Sequence, residues 1–134
     1  MVDALRRAHR VVTPDGCVVD LHPTAARAAI EVGRQRTGAV DAGDAPFRHA
    51  AASAALVRGV GERLFIIDAL REFTFYTYGD SVEELRDYIV ETWRNARVDD
   101  ETIRRTRDAL EADPDARPRV REHVRATRLR PLRT

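Results

Sequence analysis

The chain has 134 residues, of which 43% are hydrophobic, and this combination excludes a disordered chain. Its 23 basic and 22 acidic residues leave a net charge of +1, so no overall charge excess points to nucleic acid. Every basic residue is an arginine, which is typical of a GC-rich bacterial gene and therefore says little about phosphate binding.

The sequence also lacks the signals of export, membrane insertion and metal binding. No apolar run is long enough to span a bilayer, and no apolar stretch near the N-terminus precedes a small-residue cleavage site. The four histidines, His9, His22, His49 and His123, have no metal-ligand spacing. We therefore expect a mature cytoplasmic protein with no membrane partner and no metal.

The first predicted element is an amphipathic helix in VDALRRAHRVV. The residues of its apolar face are Leu5, Ala8, Val11 and Val12. TPDG ends the helix as a turn, because Pro14 presets its first corner and Gly16 can take a positive φ. CVVDL then predicts a short strand that is covered on both faces. The lone Cys17 in this strand is expected to be a buried structural thiol.

Two weaker strands and a helix follow. AAIEV and TGAVDAG, joined around Gly33 to Gly38, suggest an antiparallel extension of the sheet. Asp44 is the predicted N-cap of the next helix, and Pro46 lies near its first position. The residues expected to point inward from this helix are Phe47, Ala51, Ala54 and Val57. The GVG that follows lacks the third glycine of a nucleotide-binding loop and comes after a helix, so we expect no such loop there.

The second half of the chain begins with its strongest β signal. LFIIDALREFTFYTYG is rich in β-branched and aromatic residues and predicts one long bent strand or two short strands. Ser81 and Glu84 then form a predicted capping box. The helix that this box starts has a continuous apolar stripe, formed by Val82, Leu85, Ile89 and Trp93.

A further helix and an amphipathic segment complete the chain. Asp99 or Asp100 caps the helix, which runs through Leu110 and ends at Asp113 and the following proline. From residue 119 to 126, apolar residues alternate with arginine and histidine, which favours a strand, with a helix as the alternative. Together the elements predict a single α+β domain over residues 1–134, with a mixed or mainly antiparallel sheet of about five to six strands and about four helices.

The segment ALRRAHRVVTPDGCVVDLHP resembles the later part of class I S-adenosylmethionine-dependent methyltransferases. In that family a helix of the type aLrEahRVLkPGG turns into the fifth strand, rlvivdp. The residues that match the helix are Ala4, Leu5, Arg7, His9, Arg10, Val11 and Val12. Pro14 and Gly16 match the turn, with Asp15 in place of its first glycine, and residues 17–21 match the strand. The capped helix after FTFYTYGDS and the C-terminal strand resemble later elements of the family more loosely.

This resemblance implies a truncated methyltransferase-like Rossmann fold. The family holds its cofactor at a glycine-rich turn after the first strand and at an acidic residue that ends the second strand. Both features would lie before Met1, so the resemblance implies a chain that lacks its cofactor-binding half. We therefore expect no cofactor, and no binding of S-adenosylmethionine by this chain.

Two groups of polar residues are candidate ligand-binding sites. Asp20 and His22 share a face at the C-terminal end of a predicted strand, where they could relay a proton. The alternative, which we favour, is a polar strand end that bonds the following turn. Tyr76, Tyr78 and Asp80 could line a pocket with two hydroxyls and a carboxylate. The favoured alternative places the neighbouring Phe73 and Phe75 in the core and the tyrosines at its rim.

The remaining residues predict no catalytic machinery. Ser53 and Ser81 lack the sequence context of a nucleophile elbow, so no hydrolase is predicted. We therefore expect a non-catalytic methyltransferase-like binding or interaction protein. The alternative is a small-molecule-binding protein or a cofactor-independent enzyme that uses a cleft near Asp20, His22, Tyr76 and Asp80.

Self-association is the expected mode of interaction. A shortened sheet leaves an unpaired edge, which predicts a homodimer. The expected contacts are Trp93, the aromatic strand LFIIDALREFTFYTYG and the third predicted strand, TGAVDAG. Arg119, Arg121 and Arg125 are expected to form a solvated strand face that is partly neutralised by the acidic residues before it, so we expect no nucleic-acid partner.

Overall fold

The computed structural model describes residues 2–133, which form an α+β fold. The helices in this range are α1 (Val2–Val11), α2 (Ala45–Gly61), α3 (Val82–Thr92) and α4 (Asp100–Ala112). The strands are β1 (Val18–Pro23), β2 (Ala29–Val32), β3 (Gln35–Ala39), β4 (Phe65–Tyr78) and β5 (Pro118–Pro131). Four helices and five strands in the described range confirm the predicted fold class. No helix within residues 2–133 is both long enough and apolar enough to cross a membrane.

The strands form an antiparallel sheet in which β5 has the most partners. β5 pairs with β1, with β2 and with β4, and β2 also pairs with β3. The chain divides into two compact units. Unit 1 comprises Met1–Thr24, Phe47–Phe73 and Val124–Thr134, and unit 2 comprises Ala25–Pro46 and Thr74–His123. The long strands β4 and β5 therefore contribute residues to both units.

Unit 1 begins with the helix, turn and strand that the sequence predicts. The Gly16 N–H donates to the Thr13 carbonyl at 2.9 Å, which closes the turn between α1 and β1. Leu5 of α1 is buried, and Ala8 and Val12 pack against the same cluster. The predicted apolar face of α1 is therefore confirmed except at Val11, which is exposed because it ends the helix.

The inward face of α2 differs from the prediction. Phe47 and Val57, expected in the core, are 79% and 69% exposed, and the two alanines predicted with them are also exposed. Leu56 is buried instead, in a cluster with Leu5, Phe65 and Leu129. The helix turns this side inward because its small residues let α1 approach closely. A Cβ at Gly59 would lie 3.0 Å from Leu5 Cδ1, and Ala52 and Ala55 are buried on the same side.

Strand β1 is open on one face, which contradicts the expectation of a strand covered on both faces. Val19 and Leu21 are 62% and 61% exposed, whereas His22 is buried. Alternate residues of a strand point to opposite faces, so helices α1 and α2 cover only the face that carries Val18 and His22. Cys17 precedes the strand and is exposed, so the prediction of a buried thiol is wrong.

Unit 2 contains the antiparallel strand pair that the sequence suggests, but β3 begins at Gln35, earlier than the predicted segment TGAVDAG, and Gly38 lies within it. The strands pair from Ala29 opposite Ala39 to Val32 opposite Gln35, and Gly33 in the two-residue loop has a φ of 60°. Gly38 has a packing role, because a Cβ there would lie 2.1 Å from the Thr102 hydroxyl oxygen on α4. The weak strand signal of this segment therefore reflects a backbone that a helix must approach closely.

The two helices of unit 2 start where the sequence predicts. The Ser81 hydroxyl accepts a hydrogen bond from the Glu84 N–H at 3.1 Å, and the Asp99 carboxylate accepts one from the Thr102 N–H at 2.7 Å. The Glu84 carboxylate accepts from the Asp80 N–H, one residue before the position that a capping box requires. The buried cluster of this unit consists of Ile30, Val40, Leu85, Ile89, Ala96 and Val120, with Trp93 partly buried against it.

The two long strands settle two open questions. β4 is one continuous strand, and the C-terminal segment is a strand rather than a helix. β4 is also far more exposed than expected. Phe73 and Phe75 are 41% and 53% exposed, so the expectation that they belong to the core is wrong. Phe65 is the buried phenylalanine of this strand, because it lies under α1 and α2 in the core of unit 1.

Candidate functional site

Asp20, His22 and Ser53 form a hydrogen-bonded chain in unit 1. Strand β1 presents Asp20 and His22 on one face, and helix α2 places Ser53 beyond them. His22 Nδ1 lies 2.5 Å from Asp20 Oδ2, and His22 Nε2 lies 3.1 Å from Ser53 Oγ. The side chains of His22 and Asp20 are 9% and 16% exposed, and Ser53 is half-buried. A carboxylate, an imidazole and a hydroxyl are thus linked in series.

The chemistry of the carboxylate indicates which atom donates in each of these two hydrogen bonds. An ionised carboxylate can only accept hydrogen bonds, so the hydrogen between Asp20 and His22 belongs to Nδ1. In a neutral imidazole the other nitrogen, Nε2, then carries a lone pair. With this tautomer the lone pair faces the Ser53 hydroxyl, which can donate its hydrogen to it. The arrangement can therefore move a proton from Ser53 to His22.

His49 lies one helical turn before Ser53 on α2, and both side chains are half-buried. Burial lowers the pKa of His49 below its usual value of 6.5, and the nearby His22 and Arg48 lower it further. His49 is therefore a neutral imidazole at pH 7, with one N–H to donate and one nitrogen to accept.

A buried hydroxyl lies beside Asp20, the first member of this hydrogen-bonded series. Thr127 of β5 is directly opposite Asp20 in the pairing of β1 with β5, and it is 1% exposed. Within the described residues, its Oγ1 has no hydrogen-bond partner. An unpaired buried hydroxyl costs about 1–3 kcal/mol.

The second predicted group of residues lies in unit 2, where two arginines contact its side chains. The Arg119 guanidinium carbon is 4.1 Å from the centre of the Tyr76 ring, and its Nη1 donates to the Tyr78 hydroxyl at 3.2 Å. Arg117 donates to Asp80 at 2.9 Å and lies 5.5 Å from the centre of the Tyr78 ring. Tyr76, Tyr78 and Asp80 are thus bound by Arg119 of β5 and by Arg117, which directly precedes this strand.

Glu31 of β2 binds Arg119 from the hairpin side and also binds Arg121. Its carboxylate is almost fully buried and lies 3.0 Å from Arg119 Nη2 and 3.3 Å from Arg121 Nε. Arg125, in unit 1, pairs with Glu72 at 2.6 Å. The three arginines predicted to form a solvated face are therefore paired with carboxylates of β2 and β4. The predicted source of neutralisation, the acidic segment before them, supplies none of the pairs described here.

The two halves of the predicted ligand-binding cleft belong to different units. Asp20 and His22 lie in unit 1, and Tyr76, Tyr78 and Asp80 lie in unit 2. Within unit 1 the structure adds Ser53, which the sequence analysis set aside because it lacks the context of a nucleophile elbow. Ser53 is 31 positions from His22, so no local spacing reveals the contact. The one sequence signal that bears on it is the spacing of four between His49 and Ser53, which places both on one helical face.

The described residues provide no donor set for a metal, since no group of three or more histidine, cysteine or acidic side chains in residues 2–133 is arranged to hold one. The backbone of the GVG segment is part of helix α2 and forms no loop that could approach a phosphate. No model of a protein family, no curated protein and no solved structure matches this chain.

Proposed function

We propose that this chain is an interaction protein that binds a second copy of itself through strand β4. The observation that carries the proposal is the exposed apolar side chains of β4 along a free strand edge. Among the described residues β4 pairs only with β5, so the backbone groups of its other edge have no strand partner. Long apolar edge strands pair readily with another chain, and native proteins usually cover or blunt them.

The exposed part of β4 in unit 1 is apolar on both faces. Ile66 and Ile67 are adjacent in the strand, so they point to opposite faces, yet they are 45% and 46% exposed. Leu70 and Phe73 are exposed to a similar extent. A monomer that exposes these side chains leaves apolar area in water on both faces of an edge strand, which is typical of a protein–protein contact.

Antiparallel self-pairing of β4 gives a complementary apolar register. A two-fold axis through Leu70 places Ile67 opposite Phe73 of the second copy, and these two residues lie on the same face of the strand. This pair occurs twice because the contact is symmetric, and Leu70 faces its own copy at the axis. Large apolar side chains that face each other across strands are stabilising.

The outer face of the unit 1 sheet extends this surface. A shallow groove of about 320 Å³ is lined by Val19, Ala69, Arg71, Ala126 and Arg128. Val19 and Leu21 of β1 are exposed on the same open face of β1. A second copy that pairs along β4 can place its own exposed isoleucine and phenylalanine side chains over this groove.

The test is light scattering of the purified chain at micromolar concentration, which is expected to give twice the mass of one chain. Phe73→Lys places a charge in the contact and is expected to weaken dimerisation at least about tenfold. Phe47→Lys is the matched control, because Phe47 is a more exposed phenylalanine on α2. It is expected to leave the dimer intact.

Two results would overturn the proposal. One is a single-chain mass at every concentration reached, and the other is equal weakening by Phe47→Lys and Phe73→Lys. Leu70→Lys tests the register separately, since it places two like charges opposite each other at the two-fold axis. Circular dichroism of each variant shows whether the fold is kept.

The methyltransferase-like origin of the chain stays a prediction. It is supported by the order helix, closed turn and strand in unit 1, with α1 ending at Val11 and β1 beginning at Val18. A capped α3 after β4 and a C-terminal strand also occupy the positions that the resemblance leads one to expect. The alternative of small-molecule binding also stays a prediction. For it, Asp20 and His22 supply a hydrogen-bonded pair within unit 1.

A further inference from the structure

Self-association through β4 makes no use of the buried polar chain of unit 1. We propose that Asp20, His22 and Ser53 form a nucleophilic site that accepts an acyl group from an activated ester onto Ser53. This activity goes beyond the interaction function and would replace the sequence-based expectation of a non-catalytic chain. It rests on different residues, so either proposal can fail without the other.

The order of the three groups is the one that nucleophilic catalysis requires. A serine hydroxyl is a weak nucleophile until a neighbouring base takes its proton, and an acidic side chain holds that base in the correct tautomer. His22 is within hydrogen-bond reach of Ser53 and Asp20 on its two ring nitrogens. Asp20 does not touch the reacting atoms, so it acts as a positioning residue.

The position of Ser53 limits the substrate to activated acyl donors. Ser53 lies in the interior of α2, where its own backbone N–H is committed to the helical hydrogen-bond ladder. This N–H therefore cannot stabilise a developing oxyanion, as backbone donors do in efficient acyl-transfer sites. His49 lies one helical turn before Ser53 on α2, and its imidazole N–H is the candidate donor in place of the backbone. Aryl esters and thioesters, whose leaving groups depart readily, fit such a site.

The surroundings of Ser53 favour an apolar acyl group. Ala50 and Val57 lie three residues before and four residues after Ser53, so they flank it on the helix surface. Both side chains are exposed, and Val57 is 69% exposed. The small Ala54 next to Ser53 is also exposed. A short alkyl chain can lie along this strip while its carbonyl carbon faces Ser53 Oγ.

The reaction conserves atoms and charge, and its only reagents are the activated ester and water. Ser53 Oγ forms a bond to the acyl carbon while its proton moves to His22 Nε2. The bond from the acyl carbon to the aryloxy or thiolate group then breaks, and the leaving group receives that proton. Water subsequently attacks the acyl-serine ester with His22 as base. This second step releases the carboxylic acid and restores Ser53.

The test uses the full chain with p-nitrophenyl butyrate, and separately with a fluorophosphonate that loses fluoride to a reactive serine. The butyrate ester is expected to give a burst of p-nitrophenolate equal to one group per chain. Mass spectrometry after trypsin is expected to place either adduct in the peptide of residues 49–58. Ser81, the other serine of the chain, falls in a different tryptic peptide and is the internal reference.

Variants separate a catalytic from a structural role. Ser53→Ala is expected to abolish the adduct, whereas Ser81→Ala is expected to leave the labelling rate unchanged. His22→Gln is expected to lower the rate at least about 100-fold, because it removes the general base. Asp20→Asn is expected to lower it at least about tenfold and to change its pH profile, because an amide can hold the wrong tautomer of His22.

Four outcomes would overturn the proposal: no adduct on the folded chain, labelling of His49 or Ser81 in place of Ser53, equal rates for His22→Gln and the parent chain, or an Asp20→Asn pH profile identical to that of the parent. Circular dichroism accompanies each variant. If His22→Gln fails to fold, Asp20→Asn carries the test, since the Asp20 side chain is more exposed than that of His22.

Discussion

Glu122 of β5 is a half-buried carboxyl whose protonation is linked to stability. Burial raises its pKa above the usual value of 4.5. The folded chain therefore holds this proton more tightly than the unfolded chain does. The resulting stabilisation is fully present below about pH 4.5, and it is lost as the pH rises through the higher pKa of the folded state. At neutral pH the ionised carboxylate destabilises the fold.

We predict that Glu122→Gln raises the melting temperature at pH 7 and has a smaller effect at pH 4. The amide resembles the protonated acid, so the variant removes the burial penalty only where the parent is ionised. Thermal denaturation across this pH range measures the difference. Asp115→Asn is the control, because it makes the same charge change at an exposed position in the turn before β5. A constant difference between parent and Glu122→Gln at all pH values would refute the prediction.

Single residues also show where local patterns stop being informative. The alternation in β1 correctly places Asp20 and His22 on one face, and the structure joins them by a hydrogen bond. The same pattern gives no indication that Ser53 forms a hydrogen bond with His22. A pattern along the sequence reports which residues share a face, whereas the partner across that face comes from another element.

At the level of elements, helix α4 is connected to the hairpin by two buried threonine hydroxyls. Thr37 Oγ1 on β3 and Thr106 Oγ1 on α4 are 2.7 Å apart. Thr106 can donate to the Thr102 carbonyl at 2.7 Å, and Thr37 can donate to the Ile30 carbonyl at 3.3 Å. Two hydrogens thus serve three contacts, so either hydroxyl can rearrange when the other is removed.

We predict that the two threonines are energetically coupled. Thr37→Val and Thr106→Val are each expected to lower the free energy of unfolding by about 1 kcal/mol, because each removes a buried hydrogen bond. The double variant is expected to cost less than the sum by roughly 0.5–1 kcal/mol, since no partner remains unsatisfied. Urea denaturation of the four proteins measures the coupling. A control cycle combines Thr37→Val with Thr92→Val, at an exposed threonine, and should be additive. Additivity of Thr37→Val with Thr106→Val would contradict the coupling.

At the scale of the molecule, residues 2–133 contain two buried clusters, and the strands β4 and β5 contribute residues to both units. Leu56 belongs to the cluster of unit 1, and the single tryptophan, Trp93, packs against the cluster of unit 2. Trp93 fluorescence therefore reports on unit 2. β4 and β5 contribute residues to each unit, so we expect unfolding of one unit to disrupt two strands of the other.

We predict that Leu56→Ala shifts the unfolding transition of Trp93 as well as that of the far-ultraviolet circular dichroism. A buried leucine replaced by alanine costs about 2–5 kcal/mol. Val57→Ala, at the adjacent but exposed position, is expected to change stability by less than about 0.5 kcal/mol. An unchanged Trp93 transition in Leu56→Ala, with an earlier loss of circular dichroism, would show instead that the two units unfold independently.

Local chemistry along the chain determined most of the elements and where several of them begin. Ser81 and Asp99 start helices because their side chains satisfy free N–H groups, and Gly16 closes a turn, all without help from distant residues. The β-branched and aromatic run of β4 likewise predicts a strand by itself. These features depend on neighbours a few positions away, which the sequence displays directly.

Only the tertiary structure decided which faces are covered and which residues meet. Phe47 fits an inward-facing pattern but is exposed, because the close approach of α1 to Gly59 turns another side of α2 inward. Phe73 is apolar yet exposed, because no described element covers that part of β4. The contact of His22 with Ser53 depends on how α2 lies over β1. Burial and long-range hydrogen bonds arise from packing between elements, and that packing is a property of the folded chain as a whole.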